Sequence, residues 1–274
     1  MKLIILGASG MLGHMVLYYF KKKRKDVISY SRSPTNIEWF DESLTRIPEY
    51  SKQYISDLIQ HHRPCKVINC VAMTDISEYS KEGHFINSEL PTLLAEILDQ
   101  KKDRSQLIQI STNGVFSGKG GYYTESDLPD ANDAYGKSKL KGEVVHFPHL
   151  TIRASIIGAE LQSNNGLLEW FLNQKKDVKG YTEEKWNGVT TLEYAKFIDW
   201  AINQELSGLI HFFSKKISKN DLLHIIKEVY EKNITINPDN TVKSDRTLNT
   251  KRSDMNFIVQ SHREMLTELK NISF

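Results

Sequence analysis

The chain has 274 residues, of which 39% are hydrophobic and 26% charged, the composition of a globular rather than a disordered protein. The 36 basic and 34 acidic residues leave a net charge of +2, which gives no reason to expect a nucleic-acid partner. The apolar run at the N-terminus breaks at Gly7, and later apolar runs are shorter than the roughly 18 residues of a membrane span. We therefore expect neither a signal peptide nor a membrane partner.

Two cysteines are too few for a disulfide framework or a cysteine-based zinc site. Cys65 and Cys70 flank a short apolar segment, which predicts core thiols and a cytoplasmic location. The nine histidines show no spacing typical of metal ligands, so no metal is expected.

Strand and helix patterns alternate over residues 1–154. In chain order, we expect a strand at 2–6, a helix at 11–20, strands at 27–31 and 36–40, a helix at 51–62, a strand at 66–70, a helix at 89–98, and strands at 107–111 and 150–153. This alternation predicts parallel strands joined by right-handed crossovers, that is, an α/β fold with a Rossmann-type doubly wound sheet.

Beyond residue 155 the pattern is looser. Helices are expected at 166–174, 191–203, 219–230 and 262–271, with a strand at 208–213. These elements predict a smaller C-terminal α/β part that binds the substrate. We assign residues 1–154 and 188–206 to the dinucleotide-binding domain, and residues 155–187 and 207–274 to the substrate-binding part.

A glycine-rich segment, Gly7-Ala8-Ser9-Gly10-Met11-Leu12-Gly13, joins the first strand to the first helix. Gly7 permits a tight turn, Gly10 lets backbone amides approach a pyrophosphate, and Gly13 lets helix and strand pack closely. Because the helix N-terminus then faces the phosphates, the segment predicts a dinucleotide-binding loop.

The end of the second strand indicates which dinucleotide binds. NAD sites usually carry an acidic residue there, which bonds the ribose 2′-hydroxyl. This chain has Ser31-Arg32-Ser33 instead, with no carboxylate to repel a 2′-phosphate. Since a guanidinium suits a phosphate, we expect NADP (NADPH) as the cofactor and leave NAD open as an alternative.

Tyr135 and Lys139 lie four residues apart and would share one face of a helix. A nearby ammonium lowers the pKa of a phenol, so we expect Tyr135 to protonate a carbonyl oxygen while hydride reaches the carbon. Thr112 follows the strand expected at 107–111, at the edge of a parallel sheet where ligands bind, and is placed to hold the same oxygen.

Together these motifs resemble the dTDP-4-dehydrorhamnose reductase (RmlD-like) branch of the extended short-chain dehydrogenase/reductase family. The likeness rests on GASGMLG, STNGVFSG and YGKSK and continues in TIRASIIG, KWNGVTTLEYAKFI and GLIHFFSKKISKNDLL, so it covers nearly the whole chain. It implies an oxidoreductase that uses NADPH to reduce the 4-keto group of a nucleotide-activated 6-deoxy sugar for surface polysaccharide. The catalytic residues it implies are Thr112, Tyr135 and Lys139.

The resemblance also implies residues that bind the cofactor and the substrate. Lys139 would hold the nicotinamide ribose, and Arg246 would face the nucleotide diphosphate. With the motif residues, the expected cofactor contacts are Gly7, Ser9, Gly10, Met11, Leu12, Gly13, Ser31, Arg32, Cys70, Val71, Ala72, Tyr135 and Lys139. The expected substrate contacts are Asn113, Trp186, Asn187 and Arg246, and a homodimer is a candidate assembly.

Departures from the family pattern leave the substrate open. Asn113 and Gly114 replace an acid and an aromatic residue, and Gly114 enlarges the pocket beside the keto carbon. Trp186 and Thr190 stand where glutamine and proline are more common. Both a dTDP-4-dehydrorhamnose-like sugar and a UDP-linked N-acetylated hexos-4-ulose are therefore candidate substrates.

The sequence also bears on four other functions. A dehydratase of this superfamily has an Asp-Glu pair after the threonine, which this chain lacks, and a metal-dependent hydrolase lacks a ligand motif. A sugar-nucleotide epimerase that retains NAD is an alternative, although Arg32 argues against it. A non-catalytic NADP-binding regulatory subunit is a second alternative, although the intact tyrosine–lysine pair argues against that.

Overall fold

The computed structural model describes residues 1–23, 26–32, 36–77, 80–161 and 166–272. Its helices are α1 (Met11–Lys23), α2 (Lys52–His62), α3 (Lys81–His84), α4 (Leu90–Asp99), α5 (Ala134–Lys141), α6 (Leu167–Asn173), α7 (Thr191–Asn203), α8 (Lys219–Val229) and α9 (His262–Lys270). Its strands are β1 (Lys2–Leu6), β2 (Val27–Ser31), β3 (Asn36–Ile37), β4 (Glu42–Ser43), β5 (Thr45–Arg46), β6 (Cys65–Asn69), β7 (Gln106–Ile110), β8 (Leu150–Arg153), β9 (Ile156–Ile157), β10 (Val178–Tyr181), β11 (Glu184–Trp186), β12 (Val189–Thr190), β13 (Gly208–His211), β14 (Ile217–Ser218), β15 (Ile236–Asp239) and β16 (Ser244–Asp245).

Seven strands of the described chain form the central sheet, in the order β13-β8-β7-β6-β1-β2-β5. Each neighbouring pair is parallel. The strand order reverses between β1 and β6, so the carboxyl ends of these two strands flank the crevice where doubly wound sheets bind their ligands. The expected Rossmann-type fold is confirmed.

The packing of strand β1 explains why its residues 3–6 are all apolar. Leu3 and Ile5 pack in the core beneath α1 and α7, whereas Ile4 and Leu6 pack in the core beneath α2 and α4. All four side chains are at most 1% exposed. Because successive side chains of a strand point to opposite faces, a strand covered by helices on both sides needs apolar residues at every position.

Several helices begin at polar side chains that accept a backbone hydrogen bond. Ser51 caps α2, Thr190 caps α7, and Ser218 caps α8. At Ser218, the side chain of Asp221 also accepts from the cap backbone, which completes a capping box. The helix expected at 219–230 is confirmed, and it ends one residue earlier.

Two elements differ from the sequence expectation. The strand expected at 36–40 ends at Ile37, and Glu38–Phe40 form a 3₁₀ turn because Trp39 and Phe40 pack on the ring of Tyr18. The strand that extends the sheet beyond β2 is β5 instead.

The second difference concerns the boundary expected at residue 207. Strand β13 pairs with β8 in the central sheet rather than joining the C-terminal part, and Ile210 lies in the same core as α7. The C-terminal helices α6, α8 and α9 contribute Phe171, Leu222 and Leu266 to a second core, which they share with Met15 of α1 and Leu192 of α7. Among the described residues, the helices are all too short or too polar to cross a bilayer.

Candidate active site

The glycine-rich loop between β1 and α1 lies close to the end of β6. Gly7 has a φ of +75°, and a Cβ placed on it would lie 2.8 Å from the backbone nitrogen of Val71. A Cβ on Gly13 would overlap the carbonyl oxygen of Gly7. Glycine is therefore required at both positions, by the left-handed backbone at Gly7 and by the close packing of α1 at Gly13.

A cleft of about 160 Å³ opens beside this loop, at the point where the strand order reverses. It brings together many of the expected cofactor residues: Gly7, Ser9, Gly10, Ser31, Arg32, Cys70, Val71 and Ala72. Met11, Leu12 and Gly13 are not among its lining residues, and Leu12 is 6% exposed in the core. Sequence reasoning missed Tyr50, Met73 and Ile86, which complete the lining.

At the end of β2, the hydroxyls of Ser9 and Ser31 lie 2.7 Å apart, which ties the glycine loop to the strand. The Arg32 guanidinium is exposed and donates to the Glu82 carboxylate from Nη1 at 2.6 Å. The expectation that no carboxylate faces this position is wrong, because α3 brings one from fifty residues along the chain. Ser33 lies outside the described residues.

The catalytic candidates meet at the carboxyl end of β7. Lys139 is 3% exposed, and its Nζ donates to the carbonyl oxygen of Ile110 at 2.7 Å. Thr112 follows two residues later, and its Oγ1 accepts from the Gly114 nitrogen at 3.0 Å. A Cβ on Gly114 would lie 3.2 Å from Thr112 Oγ1 and 3.7 Å from the Tyr135 ring. The glycine thus leaves free the space between the threonine and the tyrosine.

The pKa values of this group are set mainly by burial. Burial raises the pKa of Tyr135, and a hydrogen bond with the Thr112 hydroxyl partly opposes that rise. Burial lowers the pKa of Lys139 to about 8, against the opposing effect of the Glu143 carboxylate. The lowered pKa expected for Tyr135 is therefore wrong, because desolvation of the phenolate dominates.

Below this group lies a buried ion pair that sequence reasoning missed. The Nε and Nη2 atoms of Arg153 each donate to the Glu143 carboxylate at 2.7 Å, and the two side chains are 3% and 6% exposed. Ser111, the residue before Thr112, donates to the same carboxylate at 2.6 Å. The pair therefore connects β8 and the end of α5 to the segment that carries Thr112.

Two of the expected substrate residues meet at the start of α5. The side-chain amide of Asn113 donates to the carbonyl oxygen of Arg246 at 3.0 Å. The Arg246 guanidinium is 40% exposed and lies 3.8 Å from the carboxylate of Asp133, which caps α5. Asn113 and Arg246 thus border the catalytic helix, and Arg246 offers an exposed cation there.

The other two expected substrate residues are buried. The Trp186 ring donates to the Ser155 hydroxyl at 2.8 Å and is 5% exposed. The Asn187 side chain donates to the Leu248 carbonyl at 2.8 Å and accepts from the Leu248 nitrogen at 3.0 Å. Both side chains thus join β11 and the residue after it to neighbouring segments.

A histidine cluster that the spacing in the sequence did not reveal lies at the amino end of β8, on the opposite edge of the sheet. The Asp99 carboxylate is 2.9 Å from His146 Nε2 and 3.2 Å from His149 Nε2. The Leu107 nitrogen donates to His149 Nδ1 at 3.0 Å, so Nε2 of that ring carries the hydrogen and donates to Asp99. Its lone pair is therefore not available to a metal ion.

The chain is similar to known proteins in sequence and in fold. A sequence profile described as the RmlD substrate binding domain matches residues 1–179. The chain is 30% identical over 145 residues to the probable low-salt glycan biosynthesis reductase Agl14 of Haloferax volcanii, over 51% of this chain and 46% of that protein. It is also 30% identical over 172 residues to methionine adenosyltransferase 2 subunit beta of Danio rerio, over 59% and 49% of the two chains.

The chain thus spans about half the length of these curated relatives. Among solved structures, the dTDP-4-dehydrorhamnose reductase of Bacillus anthracis in complex with NADP has the same fold, with a TM-score of 0.79 over 100% of both chains at 19% identity. Because the profile covers well over half of the sequence, this chain belongs to the RmlD family, the dTDP-4-dehydrorhamnose reductase branch of the extended short-chain dehydrogenases.

Proposed function

We propose that this protein is an NADPH-dependent reductase of the 4-keto group of a nucleotide-activated 6-deoxy sugar. The observation that carries the proposal is the meeting of Thr112, Tyr135 and Lys139 at the end of β7, beside the cleft at the glycine loop. Cys70 connects the two regions, because it lines the cleft and the charge of Lys139 acts on its thiol. That charge partly opposes the rise in the pKa of the thiol that burial causes.

The residues of the cleft suit the phosphates of a dinucleotide. The glycine backbone lets phosphates come close to main-chain amides, and Arg32 supplies an exposed cation at the end of β2. When bound, the reduced nicotinamide supplies the hydride that reaches the ketone carbon. The relative from Bacillus anthracis was solved with NADP, which supports the same cofactor here.

The catalytic side chains are in the right states for a reduction. Thr112 Oγ1 accepts from the Gly114 nitrogen, and the Thr112 hydroxyl hydrogen-bonds with Tyr135, so both hydroxyls lie where one ketone oxygen could accept from them. The raised pKa of Tyr135 keeps the phenol protonated at neutral pH, so that it can give its proton as negative charge develops on that oxygen. The Lys139 ammonium then stabilises the phenolate that is left.

The substrate side of the proposal rests on Asn113, Gly114 and Arg246. The exposed Arg246 guanidinium suits a nucleotide diphosphate, and the space at Gly114 suits a bulky sugar. A dTDP-linked sugar and a UDP-linked N-acetylated sugar are both candidates. The name of the Haloferax relative supports a role in glycan biosynthesis.

A coupled assay tests the proposal. Purified protein is offered dTDP- and UDP-linked 4-keto-6-deoxy sugars with NADPH, and the loss of reduced-cofactor absorbance is followed. We expect stoichiometric oxidation of NADPH with at least one of the two nucleotides. Interconversion of sugars without net oxidation would instead identify an epimerase.

A second candidate function is that of a regulatory subunit that binds NADP without turnover. The likeness to methionine adenosyltransferase 2 subunit beta favours it. The assay separates the two functions, because a regulatory subunit would bind NADPH and leave it unoxidised with every sugar offered.

A further inference from the structure

We infer that Glu82 sets the preference between NADPH and NADH by competing with a 2′-phosphate for Arg32. The inference rests on the proposed cofactor site. It concerns a residue of α3 that belongs to none of the motifs in the sequence.

The position of Glu82 follows from the elements around the cleft. It lies four residues before Ile86, one helical turn away, and Ile86 lines the cleft beside the glycine loop. Its carboxylate oxygen lies 2.6 Å from Arg32 Nη1, and the two side chains are 61% and 65% exposed. The Arg32 charge also acts on the phenol of Tyr50, another residue of the cleft. The ion pair therefore stands at the mouth of the adenosine end of the cleft.

The Arg32–Glu82 pair weakens the binding of NADPH for an electrostatic reason. A 2′-phosphate carries a charge of roughly −1.5 to −2 at neutral pH and would take the same guanidinium donors that Glu82 now accepts from. Binding then requires Arg32 to leave Glu82, and it places two anions close together. Both effects weaken NADPH relative to a protein without this carboxylate.

NADH meets the opposite situation. A ribose 2′-hydroxyl is neutral and can donate to a carboxylate, which is the contact that an acidic residue at the end of β2 makes in NAD sites. Glu82 supplies such a carboxylate from a different element, while Arg32 stays paired. The site therefore contains a cation, Arg32, that can bind the 2′-phosphate of NADPH. It also contains an anion, Glu82, that can accept from the 2′-hydroxyl of NADH.

The test is a binding titration, which does not depend on turnover. Dissociation constants for NADPH and NADH are measured calorimetrically at low ionic strength, where an exposed pair is least screened. The proteins are the wild type, Glu82→Gln, and the control Glu89→Gln. Glu89 is an exposed carboxylate at the end of the π-helical segment Phe85–Glu89 that follows α3, so the control removes the same charge without touching Arg32.

We expect Glu82→Gln to lower the Kd for NADPH by about threefold to tenfold and to leave the Kd for NADH unchanged or higher. Glu89→Gln should leave the ratio of the two constants within twofold of the wild type. The inference is overturned if Glu82→Gln changes that ratio by less than twofold, or if both variants change it equally.

Arg32→Ala separates this inference from the function on which it rests. If the wild type binds neither dinucleotide, the proposed function and the inference about Glu82 are both wrong. If Arg32→Ala weakens NADPH much more than NADH but Glu82→Gln changes nothing, the cofactor assignment stands and only the role of Glu82 is lost. With Arg32 removed, Glu82→Gln should still tighten NADPH, since the repulsion between carboxylate and phosphate persists.

Discussion

At the level of single residues, the same cause moves the pKa values of Tyr135 and Lys139 in opposite directions. Burial disfavours charge, so it raises the pKa of the phenol and lowers that of the ammonium to about 8. A reduction needs a protonated phenol and a charged ammonium. Tyr135 therefore holds the required state well beyond neutral pH, whereas Lys139 is close to losing it.

Replacement of Tyr135 by Phe tests the role of the proton donor. The change removes one hydroxyl and keeps the ring, so we expect kcat to fall by roughly 100-fold or more with little change in the Kd for NADPH. Steady-state kinetics and a binding titration measure the two quantities separately. Normal turnover in the variant would show that another group donates the proton.

The pH dependence tests the role of Lys139. As the pH rises through about 8, Lys139 loses its proton while Tyr135 keeps its own, so kcat/KM for NADPH should fall above that pH. A profile of kcat/KM against pH, which reports on groups of the free enzyme, measures the effect. Constant kcat/KM up to the pKa of an ordinary phenol would contradict the assignment.

Sequence reasoning proposed Thr112, Tyr135 and Lys139 because their spacing and their place after a strand are local properties. It missed Glu82, Tyr50 and Ile86, which reach the cleft only through tertiary contacts. Arg32 and Glu82 are fifty positions apart, and no pattern in one sequence joins them. The spacing also led us to expect a lowered pKa for Tyr135. Spacing shows that an ammonium is close to the phenol, but it does not show how deeply the phenol is buried.

Among the elements, the Glu143–Arg153 pair holds α5 and β8 beneath the site. Glu143→Gln would leave a buried guanidinium without its counter-charge, so we expect the free energy of unfolding to fall by about 3–5 kcal/mol. Urea denaturation measures it. The control is Glu228→Gln, since Glu228 pairs with Arg263 at the surface with both side chains more than half exposed.

That control should leave the free energy of unfolding nearly unchanged, because exposed pairs contribute little. Equal destabilisation by the two substitutions would show that burial of the Glu143–Arg153 pair has no special effect.

The elements themselves were largely predictable. Six strands of the sheet follow from apolar runs, whereas β5 (Thr45–Arg46) has no such run and was missed. The 3₁₀ turn at Glu38–Phe40 was missed because it depends on packing against Tyr18. Strand β13 was expected, but its place in the central sheet depends on pairing with β8, more than fifty residues away.

For the whole molecule, the central claim is that the glycine loop and its cleft bind NADPH. NADPH at a hundred times its Kd should raise the free energy of unfolding by about 2.7 kcal/mol, because it binds only the folded chain. Thermal denaturation with and without the dinucleotide measures this as a rise in Tm. An unchanged Tm at saturating NADPH would contradict a folded binding site.

The most direct test of the account follows the hydride itself. NADPH deuterated at the transferable position of the nicotinamide is incubated with the protein and the dTDP- or UDP-linked 4-keto-6-deoxy sugar, and the product is examined by NMR. We expect one deuterium on the former ketone carbon, and a rate of label transfer lower by roughly 100-fold or more with Tyr135→Phe. Product that carries no deuterium, or no product from either nucleotide, would contradict it.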